Sequence, residues 1–290
     1  MEDVLFSLDE ISFSHWVLAV CCTLLAFLAL AGYDTTALRH LRRYVPFPFV
    51  LACSFTTYAL AHNIGASVVS GAVVRYRAYT AKGLSGAEVG VLVAFCSITF
   101  SLACILLGGI TLILHPQLLS YFIEDFPLWG GYLAGVVLLG IIGLYVFGSL
   151  HQREPFQIRN FKVEYPRPPI VLAQLLVGPL EVMAAAGIVY FALPAESNPG
   201  YLIVLGIFVA SFSAAMLSHA PGGLGVLEVL FFLALPEMDP ADLLAALLVF
   251  RFLYMLIRFA ISLIFVLMFE RSQLLERLKK AREFVQAGRR

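Results

Sequence analysis

Five stretches of this 290-residue sequence, at about 16–33, 88–114, 130–150, 170–193 and 243–269, are apolar with very few charges. About 20 apolar residues make a helix long enough to cross a bilayer core. Backbone groups in hydrocarbon find no water to bond, so each stretch is expected to be an α-helix. The chain is 61% hydrophobic and only 13% charged, whereas a soluble domain carries roughly 25% charged residues. That excludes a soluble enzyme and predicts an all-α polytopic membrane protein.

Two further apolar runs, 47–74 and 200–236, are broken by polar or helix-breaking residues. The first holds His62, Asn63 and Gly65, then Ser70-Gly71. The second holds His219, Pro221, Gly222 and Gly223. Charge placement decides how they run, because cytoplasmic loops collect Lys and Arg. Seventeen of the 19 Lys and Arg fall in 34–46, 75–87, 151–169 and 270–290, and none falls in 1–15, 115–129, 194–199 or 237–242. The run 47–74 thus has basic segments at both ends, and 200–236 has acidic ones. Each returns to the side it left, as a re-entrant helical hairpin with the broken residues at its tip. The expected layout is five spanning helices and two hairpins, N-terminus outside and C-terminus cytoplasmic.

By domain, this gives an acidic external N-terminus (1–15), a transmembrane domain (16–270) and a basic tail (271–290). Apolar residues recur at helical spacing in that tail, among Lys and Arg. It reads as an amphipathic helix on the anionic leaflet or as a solvated end. The positive charges follow the first apolar run, the reverse of a secretory leader, so that run is expected to be retained. Leu60-Ala61-His62-Asn63-Ile64-Gly65 is similar to Leu217-Ser218-His219-Ala220-Pro221-Gly222. Two hairpin-plus-helix units entering from opposite faces would form an inverted repeat, as in many transporters.

Glu181, Glu228, Arg251 and Arg258 lie at membrane depth, where each costs on the order of 3 kcal/mol if unpaired and should face protein or water. They are either structural ion pairs or the wall of a polar cavity for a charged substrate. Arg75 and Arg77, at the cytoplasmic end of the first hairpin, either set topology or receive a lipid phosphate, which suits the forked donors of Arg. His62 and His219 flank the tips as packing residues or proton carriers. The cysteines, Cys21, Cys22, Cys53, Cys96 and Cys104, all lie in apolar runs and read as buried free thiols. The sequence contains no phosphate-binding Gly loop, HExxH, CxxC or G-x-S-x-G. No catalytic residue, metal, cofactor or nucleic-acid partner is expected; the partners expected are membrane phospholipids, and homo-oligomerisation is left open.

Four blocks carry a family resemblance: Gly32-Tyr33-Asp34-Thr35-Thr36-Ala37-Leu38-Arg39, Tyr58-Ala59-Leu60-Ala61-His62-Asn63-Ile64-Gly65, Ser70-Gly71-Ala72-Val73-Val74-Arg75-Tyr76-Arg77-Ala78-Tyr79, and Pro221-Gly222-Gly223-Leu224-Gly225-Val226-Leu227-Glu228. Together, over roughly 16–270, they resemble the transmembrane region of the bacterial lysylphosphatidylglycerol synthase/flippase family and its stand-alone membrane relatives. The resemblance implies movement of an aminoacylated or anionic phosphatidylglycerol-like lipid between leaflets of the bacterial inner membrane. It does not imply synthesis of that lipid, since the cytosolic synthase domain of the full-length pattern has no counterpart here. The other readings are a membrane anchor or partner of a separately encoded lipid aminoacyltransferase or glycosyltransferase, and a transporter of another amphiphile.

Overall fold

A computed structural model describes residues 2–64, 67–123, 125–151, 156–158, 161–163, 165–218 and 220–271. A short helix, α1 (Glu2–Glu10), precedes the first long one, α2 (Phe13–His40), which Ser12 caps by accepting from the His15 amide. A helix pair follows, α3 (Phe47–Ile64) and α4 (Ser67–Thr80), and then α5 (Gly86–Leu114). Ser85 and Glu88 close a capping box at the start of α5, satisfying two of the amides a helix N-terminus leaves free. A 3-10 turn, Pro116–Tyr121, leads to α6 (Leu128–Leu150). Beyond α7 (Pro168–Ala192) comes the second broken run, as α8 (Tyr201–Leu217), a 3-10 turn at Pro221–Gly223 and α9 (Val226–Ala234). The last helix, α10 (Pro240–Arg271), is capped by Asp239.

Among the described residues five helices, α2, α5, α6, α7 and α10, are long and apolar enough to cross a membrane, and they coincide with the five uninterrupted runs. The all-α class holds for them. The described residues add two three-residue strands, β1 (Phe156–Ile158) and β2 (Phe161–Val163), paired antiparallel between α6 and α7. The acidic N-terminal segment folds back on the protein, α1 packing against α10. The tail 272–290 lies outside the described residues.

The second broken run divides into two helices of unequal length. With nine residues α9 is about 14 Å long, roughly half a hydrocarbon core. Its approach, α8, is longer at 17 residues. The tips of the two broken runs meet in space. A methyl group built on Gly222 would lie 3.7 Å from the His62 carbonyl oxygen and 3.5 Å from Arg251 Nη1. Gly222 and Gly223 take φ of +62° and +61°, a conformation costly for any residue with a side chain. That is why the turn falls on the glycine pair.

At the centre, α7 is flanked by α2, α5, α8 and α10. Small residues permit close approach, as in membrane interfaces generally. A Cβ on Gly178 would lie 2.9 Å from the Thr99 carbonyl of α5, and one on Gly187 would lie 2.8 Å from Cys22 Sγ of α2. Polar contacts tie the same layer. Tyr145 of α6 donates to Gln174 Oε1 at 2.7 Å, and Gln174 Nε2 donates to Thr99 Oγ1 at 2.9 Å. The thiols are less uniform than expected: Cys53 and Cys96 are buried, Cys22 and Cys104 half-buried, and Cys21 exposed.

A buried charged layer and its lateral cavity

The sequence expectation named four charged groups at depth, and among the described residues the structure adds Asp34 and Arg75 to them. α2 continues to His40 instead of ending near residue 33, and α4 reaches Thr80. Both helices thereby carry an additional charged residue into the interior. Arg75 donates to Asp34 through Nη2 at 2.6 Å and Nε at 3.3 Å, with side-chain exposures of 5% and 0%. Tyr79 donates to Asp34 Oδ2 at 2.7 Å, the Cys96 thiol lies 3.4 Å from Oδ1, and the Arg75 guanidinium sits 4.8 Å over the Tyr58 ring. Asp34 is therefore fully engaged. It was legible only as a lone acid just past an apolar run, and nothing in local spacing tied it to Arg75.

Arg251 is held as completely. Its Nε and Nη2 both reach Glu228 Oε1 at 2.6 Å, while Nη1 donates to the Gly222 carbonyl at 2.7 Å and Nη2 to that of Gly223 at 3.3 Å. The other oxygen of Glu228 accepts the Gly225 amide at 2.9 Å, capping α9. This one arginine clamps the Pro-Gly-Gly tip to the last helix. Arg77 lies outside the layer, half-exposed and paired with Glu270 at 2.5 Å.

Arg258 and Glu181 are different. The Arg258 side chain is fully buried; Nη2 meets His62 Nδ1 at 2.7 Å and the Tyr58 carbonyl at 3.4 Å. A guanidinium only donates, so His62 accepts through Nδ1. Nε and Nη1 of Arg258 have no partner among the described residues. The guanidinium packs 4.5 Å over Tyr254 and 5.2 Å from Phe27. Glu181 is 1% exposed. It accepts hydrogen bonds from the Tyr254 hydroxyl and, at 3.3 Å, from that of Tyr33. No Lys or Arg contacts it among the described residues. Tyr254 thus lies between the two charges, its ring on the cation and its hydroxyl on the anion.

Arg251 and Arg258 are seven residues apart, but residues Arg251–Leu256 form a π-turn within α10. The π-turn shifts the helical phase, which helps Arg251 address the second tip and Arg258 the first. Such turns recur at functional sites. Asn63 braces the junction, donating to Ala59 at 2.8 Å and to Met255 at 3.4 Å. Gly65 and His219 lie outside the described residues, and Pro221 is described only as backbone of the tip.

Beside this layer is a cavity of about 420 Å³ whose wall includes Tyr33, Tyr58, His62, Arg75, Glu181 and Phe212. Its lining also includes Ser97 and Ser101 of α5 and Leu217 of α8, all exposed, so it opens sideways between α5 and α8. Arg258 lies just behind the His62–Tyr58 wall.

Residues 1–262 match the family described as the lysylphosphatidylglycerol synthase TM region. The chain is 30% identical over 256 residues to an uncharacterized protein of Synechocystis sp., covering 87% of this chain and 79% of that one. It is 30% identical over 258 residues to inner membrane protein YbhN of Escherichia coli, with the same coverage. A shorter segment of 92 residues is 33% identical to a phosphatidylglycerol lysyltransferase of Staphylococcus epidermidis, 31% of this chain and 11% of that protein. The chain is a multi-pass membrane protein and belongs to the family of the lysylphosphatidylglycerol synthase transmembrane region.

Proposed function

We propose that this protein moves a phospholipid between leaflets, taking the headgroup in through the lateral cavity, with Arg258 receiving the phosphate and Glu181 facing any headgroup ammonium. The observation that carries the reading is Arg258, a fully buried guanidinium with two unpartnered donors and no carboxylate in contact among the described residues. A buried charge held this way is costly, and its use in another state of the protein would account for that cost. The guanidinium fork suits a phosphate diester.

Three further features support it. The cavity opens sideways, where a lipid would arrive, rather than along the helix axes. The two tips meet at the charged layer, and α9 is too short to cross, as re-entrant hairpins of an inverted repeat require. The family description and the lysyltransferase relative point to phosphatidylglycerol or its aminoacylated form as the lipid. In this reading Asp34–Arg75 and Glu228–Arg251 are the frame, and Arg258 is reached when the first tip moves and His62 yields.

Reconstitution tests this directly. Vesicles containing the protein should transfer a fluorescent phosphatidylglycerol between leaflets, without aminoacyl-tRNA, and Arg258→Gln should abolish the transfer. Transfer at the protein-free rate, or undiminished in Arg258→Gln, would overturn the reading. Lipid aminoacylation by the purified chain would replace it with a synthase. For the hairpins, single cysteines at Ser120, Ser197 and Asp239 in a Cys-free background should label from outside intact cells, and one at Thr80 should not. Labelling at Thr80 would rule out a cytoplasmic hairpin.

A further inference from the structure

We infer that Glu181 is a counter-charge site that takes either a proton or a headgroup ammonium, so that net-anionic lipids bind together with a proton and zwitterionic lipids bind without one. This rests on the proposed headgroup contact at Arg258. The buried layer contains three carboxylates, Asp34, Glu181 and Glu228, and three guanidiniums, Arg75, Arg251 and Arg258. With all six ionised it is neutral. A phosphate diester received at Arg258 adds one negative charge in a region from which water is largely excluded, where uncompensated charge is strongly disfavoured.

Only one carboxylate is able to compensate. Asp34 is held by Arg75 and Tyr79, and Glu228 by Arg251 and the amide of Gly225. Protonating either would break an ion pair that fixes helix positions. Among the described residues Glu181 has no cation in contact; its partners are the hydroxyls of Tyr33 and Tyr254, which can rotate to accept a hydrogen bond from a neutral carboxyl. It also forms part of the cavity wall, the side from which a proton or a ligand ammonium would arrive.

The ionisable groups packed around it are consistent with this role. α2 offers Tyr33, with Asp34 beyond it on Arg75; α5 offers Cys104; α10 offers Tyr254 and Arg258. Across the cavity stand Tyr58 and His62 of α3, Arg75 of α4 and Cys96 of α5. His62 gives its Nδ1 lone pair to Arg258, so a proton there would set two cations against each other. From α8 come Phe212 and Ser213, which do not titrate. The aromatic rings beside Glu181 also favour an organic ammonium. A proton moving from solvent to a Glu181 oxygen and an ammonium seated there are therefore alternatives.

By linkage, if anion binding draws in a proton, binding must weaken as pH rises through the range where free Glu181 is ionised. The test is titration calorimetry of the full chain in nonionic detergent with dihexanoyl phosphatidylglycerol and dihexanoyl phosphatidylethanolamine, repeated in buffers of different ionisation enthalpy. Uptake of about one proton is expected for phosphatidylglycerol and about none for phosphatidylethanolamine, with phosphatidylglycerol affinity falling by up to about tenfold per pH unit. Glu181→Gln should fix phosphatidylglycerol affinity at its low-pH value, abolish the proton uptake and weaken phosphatidylethanolamine. Equal proton counts for the two lipids, or uptake persisting in Glu181→Gln, would overturn the inference. Binding that Arg258→Gln abolishes but that takes up no proton would remove only this inference. No binding of either lipid, or binding indifferent to Arg258→Gln, would instead remove the headgroup reading beneath it.

Discussion

Arg251 and Arg258 stand seven residues apart on one helix, both buried and each at the tip of one broken run, yet their surroundings are opposite. Arg251 is satisfied by a carboxylate and two backbone carbonyls, and it ties the second tip to α10. Arg258 has a neutral imidazole, one distant carbonyl and two aromatic faces, and two of its nitrogens are unpartnered among the described residues. The difference teaches how to separate a charge that holds a fold from one held ready. Satisfied buried groups are costly to lose and cannot easily do anything else. Unsatisfied ones cost stability where they are, so removing them should stabilise or leave unchanged the fold.

The largest effect should come from breaking the satisfied side. Arg251→Leu strands Glu228 and releases two carbonyls, and should cost about 3–5 kcal/mol or prevent accumulation. Melting in detergent measures it, and Glu228→Leu in the same chain should recover part of the loss. A melting point unchanged by Arg251→Leu would erase the contrast. Next comes the bridge between the charges. Tyr254→Phe leaves the buried Glu181 with its Tyr33 contact, and should lower stability by about 1–3 kcal/mol. Restoration by Glu181→Leu in a double-mutant cycle would assign that cost to the carboxylate.

A smaller effect is expected at the rim. Arg77 and Glu270 are 58% and 45% exposed, and Arg77→Ala should change stability by less than about 1 kcal/mol. A loss as large as that of Arg251→Leu would show that exposure is a poor guide to these arginines. The smallest change in stability should come at Arg258 itself. Arg258→Met loses an aromatic stack and one imidazole contact but relieves an unpaired charge, so melting should stay within about 1 kcal/mol or rise. A collapse of the fold in Arg258→Met would place Arg258 with Arg251 as a structural residue.

The contrast also shows where the sequence stopped being legible. Glu181, Glu228, Arg251 and Arg258 could be found from the sequence because a charge inside an apolar run is anomalous wherever it occurs. Their pairing could not, since a π-turn in α10 re-aims two arginines that regular spacing would place on one face. Asp34 was missed because it follows an apolar run whose helix continues to His40, and its partner Arg75 sits on a different helix. The tyrosines are the plainest gap. Tyr33, Tyr58, Tyr79 and Tyr254 are ordinary membrane aromatics in sequence, and only the tertiary packing of α2, α3, α4 and α10 directs their hydroxyls and rings at the charges.

By itself the sequence determined the membrane class, the five long helices and the broken character of the two remaining runs. Those follow from local quantities: the length of an apolar stretch, the residues that interrupt it and the charges that flank it. The tertiary structure decided which charges neutralise each other, that the two tips meet at one layer, and that Glu181 and Arg258 face each other across Tyr254 without touching. Such partnerships join residues as far apart in sequence as His62 and Arg258. Nothing local encodes them, because the contact energies arise only when distant helices bring donors and acceptors together in a medium that offers no water in exchange.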